Sequence, residues 1–207
     1  VLLADIGNTH SHIYDGVRVE HLTHEEAIAK YRHHPLYYIS VNQSLHTQLK
    51  AIACWEDLSD RIVLSGAYPT MGVDRKALCL SRACGVFVDA GSAITVDVVE
   101  EGVYQGGYIL AGLTATLESY RAISPALDTS LNRTISLTQL PTTTKDGISY
   151  GIIASIKALI ECHRADKPLY FTGGDGHFLS TFFTGSHYDE SLVFEGMRKV
   201  IKEQKRC

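Results

Sequence analysis

The order of residues predicts an α/β protein with mixed sheets, made of two related halves. One observation dominates. A strand–Asp–Gly turn–strand pattern occurs twice, first as Leu2-Leu3-Ala4-Asp5-Ile6-Gly7-Asn8-Thr9, continuing through Ile13 to Asp15 and Gly16. The second copy is Val86-Phe87-Val88-Asp89-Ala90-Gly91-Ser92-Ala93, continuing through Val96 to Asp97 and Gly102. Similarity at so long a period points to a duplicated half and not to a solenoid. In addition, β-rich runs come in clusters separated by stretches of helical periodicity, as in an α/β chain. Finally, 45% of the 207 residues are hydrophobic and 20% are charged, which suffices for one large domain or two small ones sharing a cleft. The boundary is expected near residues 80–86, giving halves 1–83 and 84–207.

Taken in order, residues 2–5 and 11–14 read as a hairpin around the first glycine turn. A short helix over Glu25–Tyr31 and a β-rich run over Leu36–Val41 follow. Ser44–Trp55 has helical periodicity, with Leu45, Leu49, Ile52 and Ala53 on one side. Arg61–Leu64 reads as a strand, and the loop Ser65–Arg75 leads into a helix through Cys84. The second hairpin covers Val86–Val99, and Tyr104–Leu110 adds a strand containing Gly106-Gly107. A helix is expected from Leu113 to Ile123, then a polar, Thr-rich loop over Leu127–Thr143. Ile148, Ile152, Ile156, Leu159 and Ile160 stripe a helix over Asp146–His163. Leu169–Thr172 is a short strand ending in Gly173-Gly174-Asp175-Gly176, and a last helix covers Ser191–Lys205.

Formal net charge is −4, which argues against a general nucleic-acid binder. The basic cluster Arg198, Lys199, Lys202, Lys205 and Arg206 reads as the solvated end of the last helix. Five cysteines without a Cys-x-x-Cys pair argue against a disulfide framework or a structural zinc site and fit a reducing cytoplasm. Asp5 interrupts the apolar start, so no signal peptide is expected, and no apolar run is long enough to span a membrane. His10 and His12 alternate along a strand and His33-His34 are adjacent; neither pair has the helical spacing of a zinc enzyme.

The repeated turn suggests phosphate chemistry. Glycine lets a backbone approach a bulky anion and adopt angles other residues avoid, while N–H groups and small polar side chains donate to phosphate oxygens. A carboxylate facing phosphate becomes useful when a cation lies between them. A polar hairpin turn explains a single copy, since Asp, Gly and Asn are common turn formers; two copies, each closing an apolar strand, favour the nucleotide reading.

Asp5-x-Gly7-Asn8-Thr9, Gly72-x-Asp74-Arg75, Asp89-Ala90-Gly91-Ser92-Ala93 and Gly106-Gly107-x-Ile109 occur in this order, followed by Thr144 and by Thr172-Gly173-Gly174. Over nearly the whole chain this arrangement resembles the type III pantothenate kinases. The resemblance implies two duplicated actin-like (ribonuclease H-like) domains flanking an ATP cleft, pantothenate as substrate, and a homodimer. It also implies Mg²⁺ with the ATP and a monovalent cation, K⁺ or NH₄⁺. Asp5 would hold the divalent ion, directly or through water. The phosphates would meet Ile6, Gly7, Asn8, Thr9, His10, Ser11 and His12 of the first turn and Ser92 of the second. Asp89 would bind the monovalent cation. Tyr68, Gly72, Val73, Asp74, Arg75 and Thr144 would meet pantothenate, with Asp74 as general base.

Each role has a plainer counterpart. Asp74 and Thr144 each precede a helix and would serve as N-caps; Arg75, which would contact substrate or stabilise charge on the transferring phosphoryl group, would be a surface helix residue; Gly173-Gly174-Asp175-Gly176, which would approach the nucleotide, would be a tight turn. Ala111 stands where the family has Pro before Gly112, so a looser loop is expected. Ser92 replaces the commoner Thr and keeps the hydroxyl. Two other readings stay open: a kinase of this fold acting on another small hydroxylated acid or sugar, and a non-catalytic regulator of transcription. Retention of Asp5, Asp74 and Asp89, with no basic helix-turn-helix segment, weighs against the regulator.

Overall fold

The computed structural model describes residues 1–204. Its elements are β1 (Leu2–Ile6), β2 (Ser11–Tyr14), β3 (Val19–Leu22), α1 (His24–Tyr31), β4 (Leu36–Ser40), α2 (His46–Lys50), β5 (Trp55–Asp57) and α3 (Val73–Leu80). Then come β6 (Gly85–Ala90), β7 (Ala93–Glu100), β8 (Val103–Ala111), α4 (Leu113–Ile123), α5 (Thr144–Arg164), β9 (Leu169–Thr172), α6 (Gly176–Ser180), β10 (Ser186–Tyr188) and α7 (Leu192–Gln204).

Two five-stranded sheets form, in the orders β3-β2-β1-β4-β5 and β10-β9-β6-β7-β8. Read backwards, the second repeats the first, with β6, β7, β8, β9 and β10 in the places of β1 to β5. In the first sheet β1 pairs antiparallel with β2 and β2 with β3, while β4 and β5 join parallel. In the second, β6, β9 and β10 are likewise parallel. Asp5 and Asp89 occupy equivalent ends of the two first strands, so the repeat visible in the residues is a repeat of topology.

Local chemistry sets the turns and caps. Asp15 closes the β2–β3 hairpin: one carboxylate oxygen accepts from the N–H groups of Val17 and Arg18 at 2.8 and 2.9 Å. Gly16 beside it has φ of +106°, which a side chain would resist. Thr23 and Glu26 form a reciprocal capping box at α1. Thr143 caps α5, whose Ile148, Ile152, Ile156 and Ile160 are buried at four-residue spacing.

By its contacts the chain forms two compact units. The first holds Val1–Cys84, Val99–Gly106 and the described residues from Glu190; the second holds Gly85–Val98 and Gly107–Asp189. These units do not follow a single break at 83/84, because α7 packs on α3 inside the first unit. Gly196 makes this possible: a Cβ there would lie 1.8 Å from the carbonyl oxygen of Ala77. Lys199 Nζ donates to the carbonyls of Leu80 and Ser81, both at 2.9 Å, at the end of α3. One face of the first sheet buries Ala4, Ile6 and Ile13 with Ala27 and Leu49. On its other side, Tyr14 stacks on Phe194 of α7 with ring centroids 5.2 Å apart. In the second unit, Val86, Val88, Ile94 and Phe171 pack with the α5 isoleucines.

Three expectations are corrected. Ser44–Trp55 is not one helix: a 3₁₀ turn capped by Asn42 leads into α2, which stops at Lys50, and Trp55 opens β5 opposite Leu36. Leu45 and Ile52 still reach the core, so the periodicity reports burial across a broken element. Arg61–Leu64 is not a strand: Ser59–Arg61 is a 3₁₀ turn, and the following residues alternate in burial without a ladder, the first bridge being Ser65 to Val103. The helix expected through Cys84 ends at Leu80. The short strands β3, β5 and β10 and the one-turn α6 carry too few residues for a periodic signal. Lys205 and Arg206 of the basic cluster lie outside the described residues. Cys54, Cys79, Cys84 and Cys162 are not joined in disulfides. Among the described residues no helix is long and apolar enough to cross a membrane.

Candidate active site

In the first unit β1 runs into a turn held from several sides. The Gly7 N–H donates to the His10 carbonyl at 3.0 Å. Asn42 Nδ2 donates to the carbonyls of Asn8 and Gly7 at 3.4 and 3.5 Å, and His24 Nε2 lies 3.4 Å from the Asn8 carbonyl. His24 is itself fixed through Nδ1 to Ser11 Oγ at 2.8 Å. Asn8, Thr9 and His10 are left exposed at the tip, open to a ligand, whereas the Ile6 and Ser11 side chains are buried. Asp5 is half-buried and sits directly opposite His12 of β2. Asn42 and His24 carry no local sequence signal for this role, because each reaches the turn from a distant segment.

The glycines of the two Asp–Gly turns act differently from the expectation. Neither Gly7 nor Gly91 is among the glycines with positive φ, so unusual backbone angles are not their role here. Gly7 is instead confined by space, a Cβ lying 3.3 Å from the His10 carbonyl.

Burial, the largest cause, and then the fields of His21, His10 and His24 push His12 from its ordinary 6.5 down to about 4. The folded chain therefore binds fewer protons than the unfolded chain in that window. His12 supports the fold fully above pH 6.5 and that support is lost as pH falls toward 4. His12→Gln is expected to flatten this part of the stability curve, as read by urea melts at pH 7, 6, 5 and 4.

Also in the first unit, the loop after Leu64 brings Tyr68, Gly72, Val73, Asp74 and Arg75 together at the start of α3. Gly72, not Asp74, is the N-cap, and the helix begins at Val73. Asp74 thus lies in the first turn, where its carboxylate accepts from the Arg75 N–H at 2.7 Å. The plainer reading of Arg75 fails as well, since the residue is only 5% exposed. Its Nη1 donates to the Tyr68 hydroxyl at 2.7 Å and its Nη2 to the Tyr104 hydroxyl at 3.4 Å. The guanidinium carbon stands 5.9 Å from the Tyr68 ring centroid. Tyr104 had no motif to mark it.

In the second unit the Gly91–Ser92 turn is closed by the Gly91 N–H donating to the Ala93 carbonyl at 2.9 Å. The N-terminus of α4 presses on this turn: a Cβ on Gly112 would lie 2.4 Å from the Ser92 carbonyl. Ala111 is the last residue of β8, regular strand and not the looser loop expected from the missing proline. Gly173 has φ of +84°, and a Cβ there would lie 2.5 Å from both the Asp89 carboxylate and the Ala90 carbonyl. The glycine turn after β9 therefore lies directly over Asp89. Asp175 is tied to Arg133 at 2.6 Å. Thr144 is exposed at the first position of α5, and its neighbour Thr143 is the N-cap. Among the described residues no three His, Cys, Asp or Glu side chains group to hold a metal ion.

Two sheets of one repeated order, each with an Asp next to the end of its first strand, define the actin-like fold. The activator of 2-hydroxyisocaproyl-CoA dehydratase from Clostridium difficile, solved with ADPNP, shares this fold at a TM-score of 0.54. It is 11% identical, with 100% of this chain and 98% of that one covered.

The type III pantothenate kinase family model matches residues 61–165. A type III pantothenate kinase from Helicobacter hepaticus is 43% identical over 206 residues, 99% of this chain and 100% of that protein. A crystal structure of a conserved Campylobacter jejuni protein, provisionally described as a Baf family transcriptional activator, gives a TM-score of 0.90 at 37% identity, covering 100% of both chains. The chain belongs to the type III pantothenate kinase family.

Proposed function

We propose that this chain transfers the γ-phosphoryl group of ATP to the primary hydroxyl of pantothenate, making 4′-phosphopantothenate at the first step of coenzyme A biosynthesis, with Asp74 as general base. The observation that carries this reading is the gathering of Tyr68, Gly72, Asp74 and Arg75 at the start of α3, with Arg75 buried against two tyrosine hydroxyls. The hydroxyl oxygen attacks the γ-phosphorus, the bond from phosphorus to the β,γ-bridging oxygen breaks, and ADP leaves. Asp74 takes the hydroxyl proton as the new bond forms. Arg75 fixes Tyr68 as a wall of the acceptor site, with Gly72 and Val73 lending backbone, and Thr144 meets the amide or carboxylate end of pantothenate.

Gly7, Asn8, Thr9, His10 and Ser92 meet the ATP phosphates; Ile6, Ser11 and His12 shape the first turn. The hard oxygen of Asp5 suits Mg²⁺, directly or through water, and Mg²⁺ would neutralise phosphate charge. Asp89 and the Ala90 carbonyl, clustered under Gly173, offer the oxygen donors that a monovalent cation such as K⁺ or NH₄⁺ needs. The repeated topology supports a division of the duplication at 83/84, the first half carrying the phosphate turn and the second the cation turn. We also propose a homodimer, supported by the exposed Ile109, Ile123 and Leu159 of the second unit. A cytoplasmic location fits the five cysteines without a Cys-x-x-Cys pair, and a net charge of −4 fits a protein without a nucleic-acid partner.

The cation assignment has its own test. Replacing Na⁺ with K⁺ at constant ionic strength is expected to raise the turnover of the wild type, and Asp89→Asn is expected to abolish the difference. A full K⁺ response in Asp89→Asn removes Asp89 as the ligand.

A further inference from the structure

The β2–β3 hairpin carries a histidine pair that the kinase reading does not use as a pair. His12 and His21 face each other in direct register across the two strands. Their Nδ1 atoms are 2.7 Å apart, and the rings meet edge to face with centroids 4.9 Å apart. Beyond them, Glu190 Oε2 lies 3.4 Å from His21 Nε2. Two like nitrogens can approach this closely only if one carries a proton and the other presents its lone pair. With both rings neutral, Glu190 decides which. It accepts the Nε2–H of His21, so the Nδ1 of His21 is bare and accepts the proton of His12 Nδ1.

We propose that this pair is a bidentate site for a divalent transition ion of the Cu²⁺ or Ni²⁺ class, with water in the remaining positions. Two nitrogens bound cis at about 2.0 Å in a tetragonal ion are about 2.8 Å apart, whereas tetrahedral zinc requires about 3.3 Å. The pair's 2.7 Å therefore matches the cis N–N distance of the tetragonal ions, and each ring turns by about 45° from the hydrogen-bonded line to bring its lone pair to the metal. When the ion enters, the proton on His12 Nδ1 passes through water to His12 Nε2. Both rings stay neutral, and both Nδ1 lone pairs turn to the metal. Glu190 supplies the carboxylate that orients a ligating histidine and raises its basicity. The exposed His21 lies on the edge strand β3, so solvent ions reach the pair without unfolding.

Tag-free protein is titrated with Cu²⁺ in excess Mg²⁺, which occupies carboxylate sites, and followed by equilibrium dialysis and EPR. The expected result is one tight equivalent whose spectrum shows two equatorial nitrogens. His21→Gln is expected to keep the fold by circular dichroism, lose one nitrogen and weaken binding by at least about tenfold. Glu190→Gln should keep both nitrogens and weaken binding by about tenfold. No tight equivalent in the wild type, or an unchanged spectrum and affinity in His21→Gln, overturns the site. Wild-type affinity in Glu190→Gln overturns the part given to the carboxylate. Neither ATP nor pantothenate enters the readout, so these outcomes are independent of the kinase reading.

Discussion

Asp74→Asn is expected to fold and to lose about 10²-fold or more in kcat, the usual contribution of a positioned general base. The carboxylate accepts from the Arg75 N–H at 2.7 Å, and the Asn side-chain oxygen can accept the same bond. What is lost is negative charge in the first helical turn, a cost of about 0.3–1 kcal/mol. Asn cannot take the hydroxyl proton. Stability and turnover should therefore separate: a melting temperature within a few degrees of wild type, and turnover near the floor. If Asp74 only ordered the helix start, the variant would keep most of its activity. Steady-state rates with saturating ATP and pantothenate, beside thermal melts, distinguish the two.

Gly196→Ala is expected to be the most damaging single methyl group in the first unit. The added carbon would stand 1.8 Å from the carbonyl oxygen of Ala77, and the atom in the way is backbone, which cannot swing aside. Helices α3 and α7 must then move apart, straining the Lys199 caps on Leu80 and Ser81 and the Tyr14–Phe194 stack. Overpacking of this kind costs about 3 kcal/mol. For a chain of this size that lowers the melting temperature by roughly 6–12 °C. Because α3 carries Asp74 and Arg75, activity should fall as well. Gly147→Ala is the control: it adds the same methyl group to an exposed position of α5 with nothing within 4 Å of the new carbon. It is expected to be neutral or to stabilise by up to about 1 kcal/mol. Equal effects at the two positions would show that helix propensity, not close packing, decides.

Much of the architecture was legible because it depends on strong local signals. The two Asp–Gly turns each close an apolar strand, and the duplication they announce reappears as one strand order used twice. The α4 bounds and the isoleucine stripe of α5 were readable for the same reason. Periodicity misled where burial and hydrogen bonding part company. Ile62 and Leu64 are buried around an exposed Val63, which looks like a strand although residues 61–64 sit in no ladder. Ser44–Trp55 keeps a helical stripe across a break because Leu45, Leu49 and Ile52 serve one core.

The candidate site divides similarly. Motif order located the Asp74 region, but local reading placed the caps one or two residues late and left Arg75 on the surface. Its burial depends on Tyr68 and on Tyr104, a residue 29 positions away. Asn42, His24 and the His12–His21 pair were out of reach for a like reason: each acts through a partner from another strand or loop, and spacing along the chain carries no trace of it.

The measurement that bears most directly on the central claim is mass-spectrometric detection of 4′-phosphopantothenate. Purified protein would be incubated with ATP, Mg²⁺ and pantothenate in K⁺ and in Na⁺ buffer. The expected result is product formed in step with ADP, faster in K⁺ and absent without ATP. Folded protein that yields no 4′-phosphopantothenate under any cation would contradict the claim and turn attention to another acceptor or to a regulatory role.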